Sequence, residues 1–320
     1  MIPMSAQSRV SIIALTYNSA RHLPALLGSI AKQTYPNIEL IVVDNASTDN
    51  TVQWLRTQTI RTVDQLIANP TNVWFTRGNN QGIAAAMGEW IYVCNDDIVL
   101  DDQCIERLVQ RGNSNEQIGL VGGKMLKLID GQPSTILDSA GIILKRSGQA
   151  INRGEQEADS GQYNQAETLF GITGAGMLLR RTALEDVRHR HEPNSLGYFD
   201  DDFVAYKEDV DLSWRLHRAG WQVWYEPTAL IYHARSIQHT TLEGRQEKSA
   251  LIRAMSYRNH LWMLMKNLTF GQFIRRLPWL AAYECAKLGY ALVREWSTVR
   301  IIPQTLAGLP RMLRKRHDHA

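Results

Sequence analysis

The chain has 320 residues, 44% hydrophobic and 21% charged, a composition that suits a globular protein with a full-sized core and excludes a disordered or fibrous chain. Its net charge of +3 is unevenly spread: Leu251 to Ala320 carry 12 Lys/Arg against 3 Asp/Glu, a balance of +9 that leaves −6 for residues 1–250. A transmembrane helix is not expected, because no uninterrupted run of about 20 apolar residues occurs; Leu277 to Val293 is broken by Pro278, Glu284 and Lys287.

Val10 to Leu15 is a short apolar run that ends in the polar loop Thr16-Tyr17-Asn18-Ser19. Leu23, Leu26, Leu27 and Ile30 then share one face of a predicted helix. Leu40-Ile41-Val42-Val43 lacks polar alternation, the pattern of a strand buried on both faces. It ends in the turn Asp44 to Asp49, where Asp49 is placed to cap a helix through Trp54. A further strand is expected near Thr62 to Ile67. Gly78-Asn79-Asn80-Gln81-Gly82 leads into a predicted small-residue helix, Ile83 to Met87, and Trp90 to Cys94 is another strand, closed by Asn95-Asp96-Asp97.

This alternation predicts an α/β fold with a Rossmann-like, mainly parallel sheet flanked by helices. Ligands of such sheets bind beyond the carboxyl ends of the strands. The clusters Thr16 to Asn18, Asp44 to Ser47 and Asn95 to Asp97 fall there. No GxGxxG follows the first strand, which counts against a dinucleotide-binding dehydrogenase. From Ile118 to Leu179 the pattern is mixed, with a polar loop from Ser147 to Gln165. Residues 208–219 read as a helix ended by Gly220, with Leu212, Leu216 and Ala219 as its apolar stripe and Asp211–Arg215 as an i,i+4 pair. Two short strands, 222–225 and 229–232, end at His233. Cys94, Cys104 and Cys285 show no CxxC pair and read as buried, reduced thiols of a cytosolic protein, and Met1 to Val10 lacks the pattern of a signal peptide.

In extended geometry Asn95 and Asp97 project to the same side, and two adjacent carboxylates repel each other unless a cation or donor compensates them. Such ligands suit Mg2+ or Mn2+, completed by phosphate oxygens; a solvated acidic turn ahead of a helix from Asp101 accounts for the same residues. Gly171-Ile172-Thr173-Gly174-Ala175-Gly176 marks either close approach to a ligand or a sharp bend. Glu208-Asp209 opens a helix, where acids are stabilised in any case, and Asp209 serves either as a first-turn acid or as a general base. His233 is either structural or a metal ligand. No Ser-His-Asp or Cys-His signature and no P-loop stands out.

In their order along the chain, Val10 to Ile13 with Thr16-Tyr17-Asn18, Ile41 to Asp49, Gly78 to Gly82, Asn95 to Asp97, Gly174 to Met177 and Tyr206 to Arg215 resemble the family 2 glycosyltransferases of GT-A fold, in their bacterial rhamnosyltransferase-like branch. The resemblance spans roughly residues 9 to 268. It implies an inverting displacement in which the diphosphate of a nucleoside-diphosphate sugar leaves as an acceptor hydroxyl attacks. Asp209 would be the catalytic base, and Asp97 would hold Mg2+ or Mn2+, with His233 where some members place a further ligand. Thr16, Asn18, Asp44, Asn45, Ser47, Asn79, Asn80, Asn95 and Asp96 would line the donor cleft. Three departures stand out: Asn95 replaces the first Asp of a strict DxD, Asp96 stands where Pro or Asn is frequent, and His189 to Leu196 is extra sequence.

The catalytic domain is expected over 1–245, with a nucleotide-sugar half near 1–115 and an acceptor half near 116–245, followed by a basic amphipathic helical region over 246–320. Its interleaved aromatics and cations suit an in-plane helix at an anionic membrane surface. That predicts a cytoplasmic protein, peripheral on the inner face of the plasma membrane near a lipid-linked or glycan acceptor. A helical hairpin packed on the catalytic domain or on a second subunit is the competing expectation. A nucleic-acid partner is not expected, since no recognisable module accompanies the charge. A non-catalytic sugar-nucleotide scaffold and a sugar nucleotidyltransferase are the rival functions.

Overall fold

The structure, a computed structural model, describes residues 8–190, 195–234 and 249–316. The strands β1 (Val10–Thr16), β2 (Ile38–Asp44), β3 (Gln65–Ala68) and β4 (Trp90–Asn95) run parallel in the order β3-β2-β1-β4. Their side chains divide between two cores: Ile12, Ala14, Leu40, Val42, Tyr92 and Cys94 on one face, Ile13, Ile41, Val43, Ile91 and Val93 on the other. A strand covered on both sides needs an unbroken apolar run, as these segments have. The first core takes in α1 (Leu23–Ala31), α2 (Thr51–Thr57) and α4 (Cys104–Asn113) through Leu26, Leu55 and Leu108. The second takes in α3 (Trp74–Ala85), α5 (Arg181–Asp186) and α6 (Glu208–Arg218) through Ile83, Leu184 and Leu212.

The strands that follow α4 extend the same sheet. β11 (Gly176–Arg180) lies antiparallel between β4 and β6 (Ile118–Ile129), and β12 (Gln222–His233) runs parallel to β6 with β10 (Glu167–Thr168) outside it. β5 (Ile98–Leu100) pairs with β12, and β7 (Gln132–Ser139) with β6.

Three sequence expectations change in detail. Gly78 to Gly82 lies inside α3, which begins at Trp74 instead of Ile83. A Cβ would meet Leu15 Cδ1 at 2.4 Å from Gly78 and Ile13 Cγ2 at 2.4 Å from Gly82, so these glycines bring the helix close to β1. Residues 222–225 and 229–232 belong to one strand, β12, whose register slips between Glu226 and Leu230; Pro227 in that slip has no N–H to give the ladder. The polar loop 147–165 contains β9 (Ala150–Asn152), which pairs with β8 (Ile142–Leu144).

The C-terminal region forms α7 (Ala250–Asn267), α8 (Phe270–Arg294), α9 (Trp296–Val299) and α10 (Ile302–Lys315). Trp262, Met263, Leu264, Leu280 and Met312 build a third core with Phe203, Val210 and Trp214. Several of its cations turn inward. Lys266 Nζ donates to Asp200 Oδ2 at 2.6 Å and Asp211 Oδ2 at 2.8 Å, and Lys315 Nζ to Asp200 Oδ1 at 2.5 Å and Asp202 Oδ2 at 2.6 Å. Burial alone would raise the Asp200 pKa, but these two ammonium groups hold it well below the carboxylate range. Lys266 and Lys315 are thus interior ties, the arrangement expected of helices packed on the rest of the chain. Apolar side chains also face outward: Phe270, Phe273, Ile274, Leu277 and Leu292 are exposed along α8, as are Trp279 and Val293 of that helix and Leu251, Trp296, Leu306 and Leu313 of the others. Among the described residues no helix is long and apolar enough to cross a membrane. Cys94 and Cys104 are buried as expected, whereas Cys285 is exposed.

Candidate active site

The antiparallel pairing of β5 with β12 sets Ile98 opposite His233, and Ala234 N donates to Asp97 O at 2.8 Å. Asp97 therefore sits beside the His233 ring, with Asp97 Oδ1 at 3.1 Å from Nε2. That approach is off hydrogen-bond geometry and leaves Asp97 Oδ1 a buried oxygen with no hydrogen-bond donor. On the other side of the ring, Nδ1 lies 2.8 Å from Oδ2 of Asp138, a residue of β7. Burial would lower the His233 pKa, but the two carboxylates lift it to about 9. For Asp97, burial acts upward, and the neighbouring His233 brings it below its ordinary value. Asp96 turns to a different partner, accepting from Ser19 Oγ. Its pKa is raised, chiefly by burial.

The glycine loop joins this turn to α6. Asn95 N donates to Ala175 O at 3.2 Å, and Gly174 N donates to Asp209 Oδ2 at 3.2 Å. A Cβ on Gly174 would press on Phe75 at 3.2 Å and meet the Asp209 Cβ at an ordinary 3.7 Å. Asp209 Oδ1 accepts from Val210 N at 2.8 Å. Its neighbour Glu208 is fully buried, and burial together with the Asp209 charge pushes its pKa up to about 8.

Ahead of Asp209 the backbone is strained: Val204, Tyr206 and Lys207 have φ of 64°, 70° and 74°, a left-handed region that disfavours residues with a Cβ. Asn259 of α7 holds it there. Its Nδ2 donates to Phe203 O, Ala205 O and Tyr206 O at 2.7, 2.8 and 2.9 Å.

At the ends of β1 and β2, Asp44 accepts from Thr16 Oγ1 at 3.0 Å, Ser47 Oγ at 2.5 Å and Ser47 N at 2.9 Å. A carboxylate has about four acceptor sites, so one is left over for a ligand. Asn18 staples the same loop, its Oδ1 accepting from Thr48 N at 2.8 Å. Asn45 turns away to α3, donating to Trp74 O at 3.0 Å. Asn79 and Asn80 are buried: Asn79 donates to Phe75 O at 2.9 Å, and Asn80 bonds Phe199 N and O and Asp201 at 2.8–2.9 Å. Thr16, Asn18, Asp44 and Ser47 thus form one network, Asn95, Asp97, His233 and Asp209 a second, and Asn80 ties α3 to the segment ahead of Asp209.

The donor set of the second network, a carboxylate oxygen without a donor facing an imidazole nitrogen, fits a divalent cation, and its imidazole suits Mn2+ better than Mg2+. His189, Asp200 and Asp211 also converge, but the Lys266 ammonium at 2.6 and 2.8 Å from the two carboxylates already supplies the cation there.

The sequence profile described as Glycosyl transferase family 2 matches residues 11–188, and that of Glycosyl transferase family group 2 matches residues 157–309. The chain belongs to glycosyl transferase family 2. The N-acetylglucosaminyl-diphospho-decaprenol L-rhamnosyltransferase of Mycobacterium tuberculosis is 25% identical over 310 residues, covering 88% of this chain and 92% of that one. The poly-beta-1,6-N-acetyl-D-glucosamine synthase of Staphylococcus epidermidis is 25% identical over 227 residues, or 70% of this chain; the alignment spans about half of that relative's length, 49%. Among solved structures, GalNAc-T7 with UDP, GalNAc and Mn2+ gives a TM-score of 0.62 at 13% identity, over 81% of this chain and 48% of that one. The mannosyltransferase PcManGT of Pyrobaculum calidifontis with GDP-Man and Mn2+ gives 0.55 at 16%, over 98% and 85%. At these identities the structures speak for the fold alone, a GT-A glycosyltransferase domain. The sequence reading missed Asp138, Ser19 and Asn259. Only Asp138 carries a signal, an acid inside the otherwise uncharged stretch Ile136 to Ala140.

Proposed function

We propose that the chain is an inverting glycosyltransferase that moves a sugar, rhamnose favoured, from a nucleoside-diphosphate donor to a hydroxyl of a lipid-linked or polysaccharide acceptor. The observation that carries this is the glycine loop Gly171 to Gly176, which links the Asn95-Asp96-Asp97 turn to Asp209. In this reading the loop would let the leaving diphosphate and the base meet in one cleft. Rhamnose is favoured because the mycobacterial rhamnosyltransferase aligns along nearly its whole length. Its name also motivates a diphosphate-lipid acceptor.

In this reading Asp209 takes the proton of the acceptor hydroxyl as that oxygen bonds to the anomeric carbon and the bond to the diphosphate breaks. The N–H groups of Gly174 and Val210 fix the carboxylate meanwhile. Asp44, ordered by Thr16 and Ser47, offers its remaining acceptor site to the nucleobase. Asp97 and His233 would hold Mn2+ or Mg2+, which supplies positive charge against the leaving diphosphate. Glu208, kept neutral, adds no second negative charge beside the base. The outward apolar stripe of α8, with Arg275 and Arg294 exposed on the same helix, supports peripheral attachment to an anionic membrane surface on the cytoplasmic side.

Calorimetric titration with nucleoside diphosphates and their sugars, with and without Mn2+, tests the reading. Micromolar, metal-dependent binding of one sugar nucleotide is expected. An Asp209→Asn variant should bind it normally and turn over about 100-fold more slowly or worse. Absence of binding by folded protein would refute the reading, and binding without transfer would favour the sugar-nucleotide scaffold.

A further inference from the structure

Assigning Asp97 and His233 to the metal leaves Asp138 without a task. It is fully buried on β7, where a carboxylate is costly unless it is hydrogen-bonded. β7 and β12 flank β6, with Leu126 paired to both Leu137 and Tyr232, so the two ladders set Asp138 and His233 side by side. The 2.8 Å contact runs from Asp138 Oδ2 to Nδ1, the ring nitrogen turned away from Asp97. An imidazole that gives its Nδ1–H to a carboxylate keeps its lone pair on Nε2, and its ring can no longer rotate.

We propose that Asp138 is a positioning residue: by accepting the Nδ1–H it holds His233 in the tautomer and orientation that present Nε2, together with Asp97 Oδ1, to a divalent cation. This rests on the reading of Asp97 and His233 as the ligands. The Asp138→Asn change is isosteric but weakens that hold, because an amide also offers N–H groups. A donated N–H turns Nδ1 into the acceptor and moves the proton to Nε2, where it opposes the cation.

The test is Mn2+ affinity, read from the free-Mn2+ electron paramagnetic resonance signal, for the unaltered chain, Asp138→Asn, His233→Ala and the double variant, with Asp138→Ala as a second probe of the same position. Thermal unfolding checks that each is folded. Asp138→Asn should weaken Mn2+ binding by about 10–100-fold, and should add nothing once His233 is Ala. Unchanged affinity in Asp138→Asn, with His233→Ala weakened, overturns the proposal while leaving the metal pair intact. An equal loss in both backgrounds overturns it as well, because Asp138 would then act other than through His233. Unchanged affinity in His233→Ala removes the metal pair itself, and the proposal with it.

Discussion

Replacing Asn259 by Ala tests whether the C-terminal helices hold the segment ahead of Asp209, the proposed base. The side chain is fully buried, and its single amide serves three carbonyls of the segment 203–206 at 2.7–2.9 Å. Two N–H groups are lost, and buried acceptors left without a donor cost about 1–3 kcal/mol each. The left-handed residues Val204, Tyr206 and Lys207 would lose their restraint at the same time. The expected destabilisation is about 3–5 kcal/mol, a large share of the ~5–15 kcal/mol that a domain commonly has. Urea unfolding followed by tryptophan fluorescence measures it. Transfer should slow by about 10-fold or more, the scale of a misplaced catalytic group, while donor affinity, assigned in the proposed reading to the ends of β1 and β2, stays unchanged. A loss under about 1 kcal/mol with an unaltered transfer rate would refute the idea that α7 holds the loop.

Lys315→Met should destabilise the fold by about 3–5 kcal/mol, because it leaves Asp200 and Asp202 with one cation fewer in the interior; denaturant unfolding checks this, and loss of only α10 would show as a separate early transition. Gly82→Ala drives a Cβ to 2.4 Å from Ile13 Cγ2 and should cost about 1–3 kcal/mol by overpacking, measured in the same way. Glu208 has a folded pKa of about 8 against an ordinary 4.5. Folded protein therefore keeps a proton that the unfolded chain gives up, so the contribution is complete below pH 4.5 and is lost as pH rises towards 8. Glu208→Gln should flatten that part of the stability–pH curve; an identical slope in both proteins would show that Glu208 does not set it.

β1, β2 and β4 were legible because they are covered on both faces and are written as largely apolar runs, whereas β3, half exposed at the sheet edge, lies slightly later than its expected Thr62 to Ile67. The helix α1 was equally legible from Leu23, Leu26, Leu27 and Ile30, all of which are buried. Gly78 and Gly82 misled on where α3 begins, because glycine marks close packing as readily as a bend, and only the neighbouring strand decides. β12 read as two strands because Pro227 interrupts the pattern but not the pairing on either side of it. The Asp211–Arg215 pair was visible as an i,i+4 spacing and stands at 2.9 Å, yet its burial was not, since Lys266 and Asn267 arrive from α7. For the same reason the basic tail looked like a surface: the acids that take up Lys266 and Lys315 lie far back in the chain. Motif residues such as Asp97 and Asp209 announce themselves locally. Their supports, Asp138 and Asn259, do so only through pairings between distant segments.

Those pairings have a consequence for the order in which the protein becomes competent. Asp138 and His233 are 95 residues apart in sequence, and Lys315 closes on Asp200 across 115. Contacts of such span form late, because the intervening chain must first be gathered in. On the proposed reading, the ends of β1 and β2 assigned to the nucleotide can therefore be complete while Asp209 and the Asp97–His233 pair are not. That reading predicts a stage of refolding at which the chain holds a donor without transferring its sugar. Recovery of transfer activity, measured against recovery of nucleotide binding, would then time the docking of the last helix.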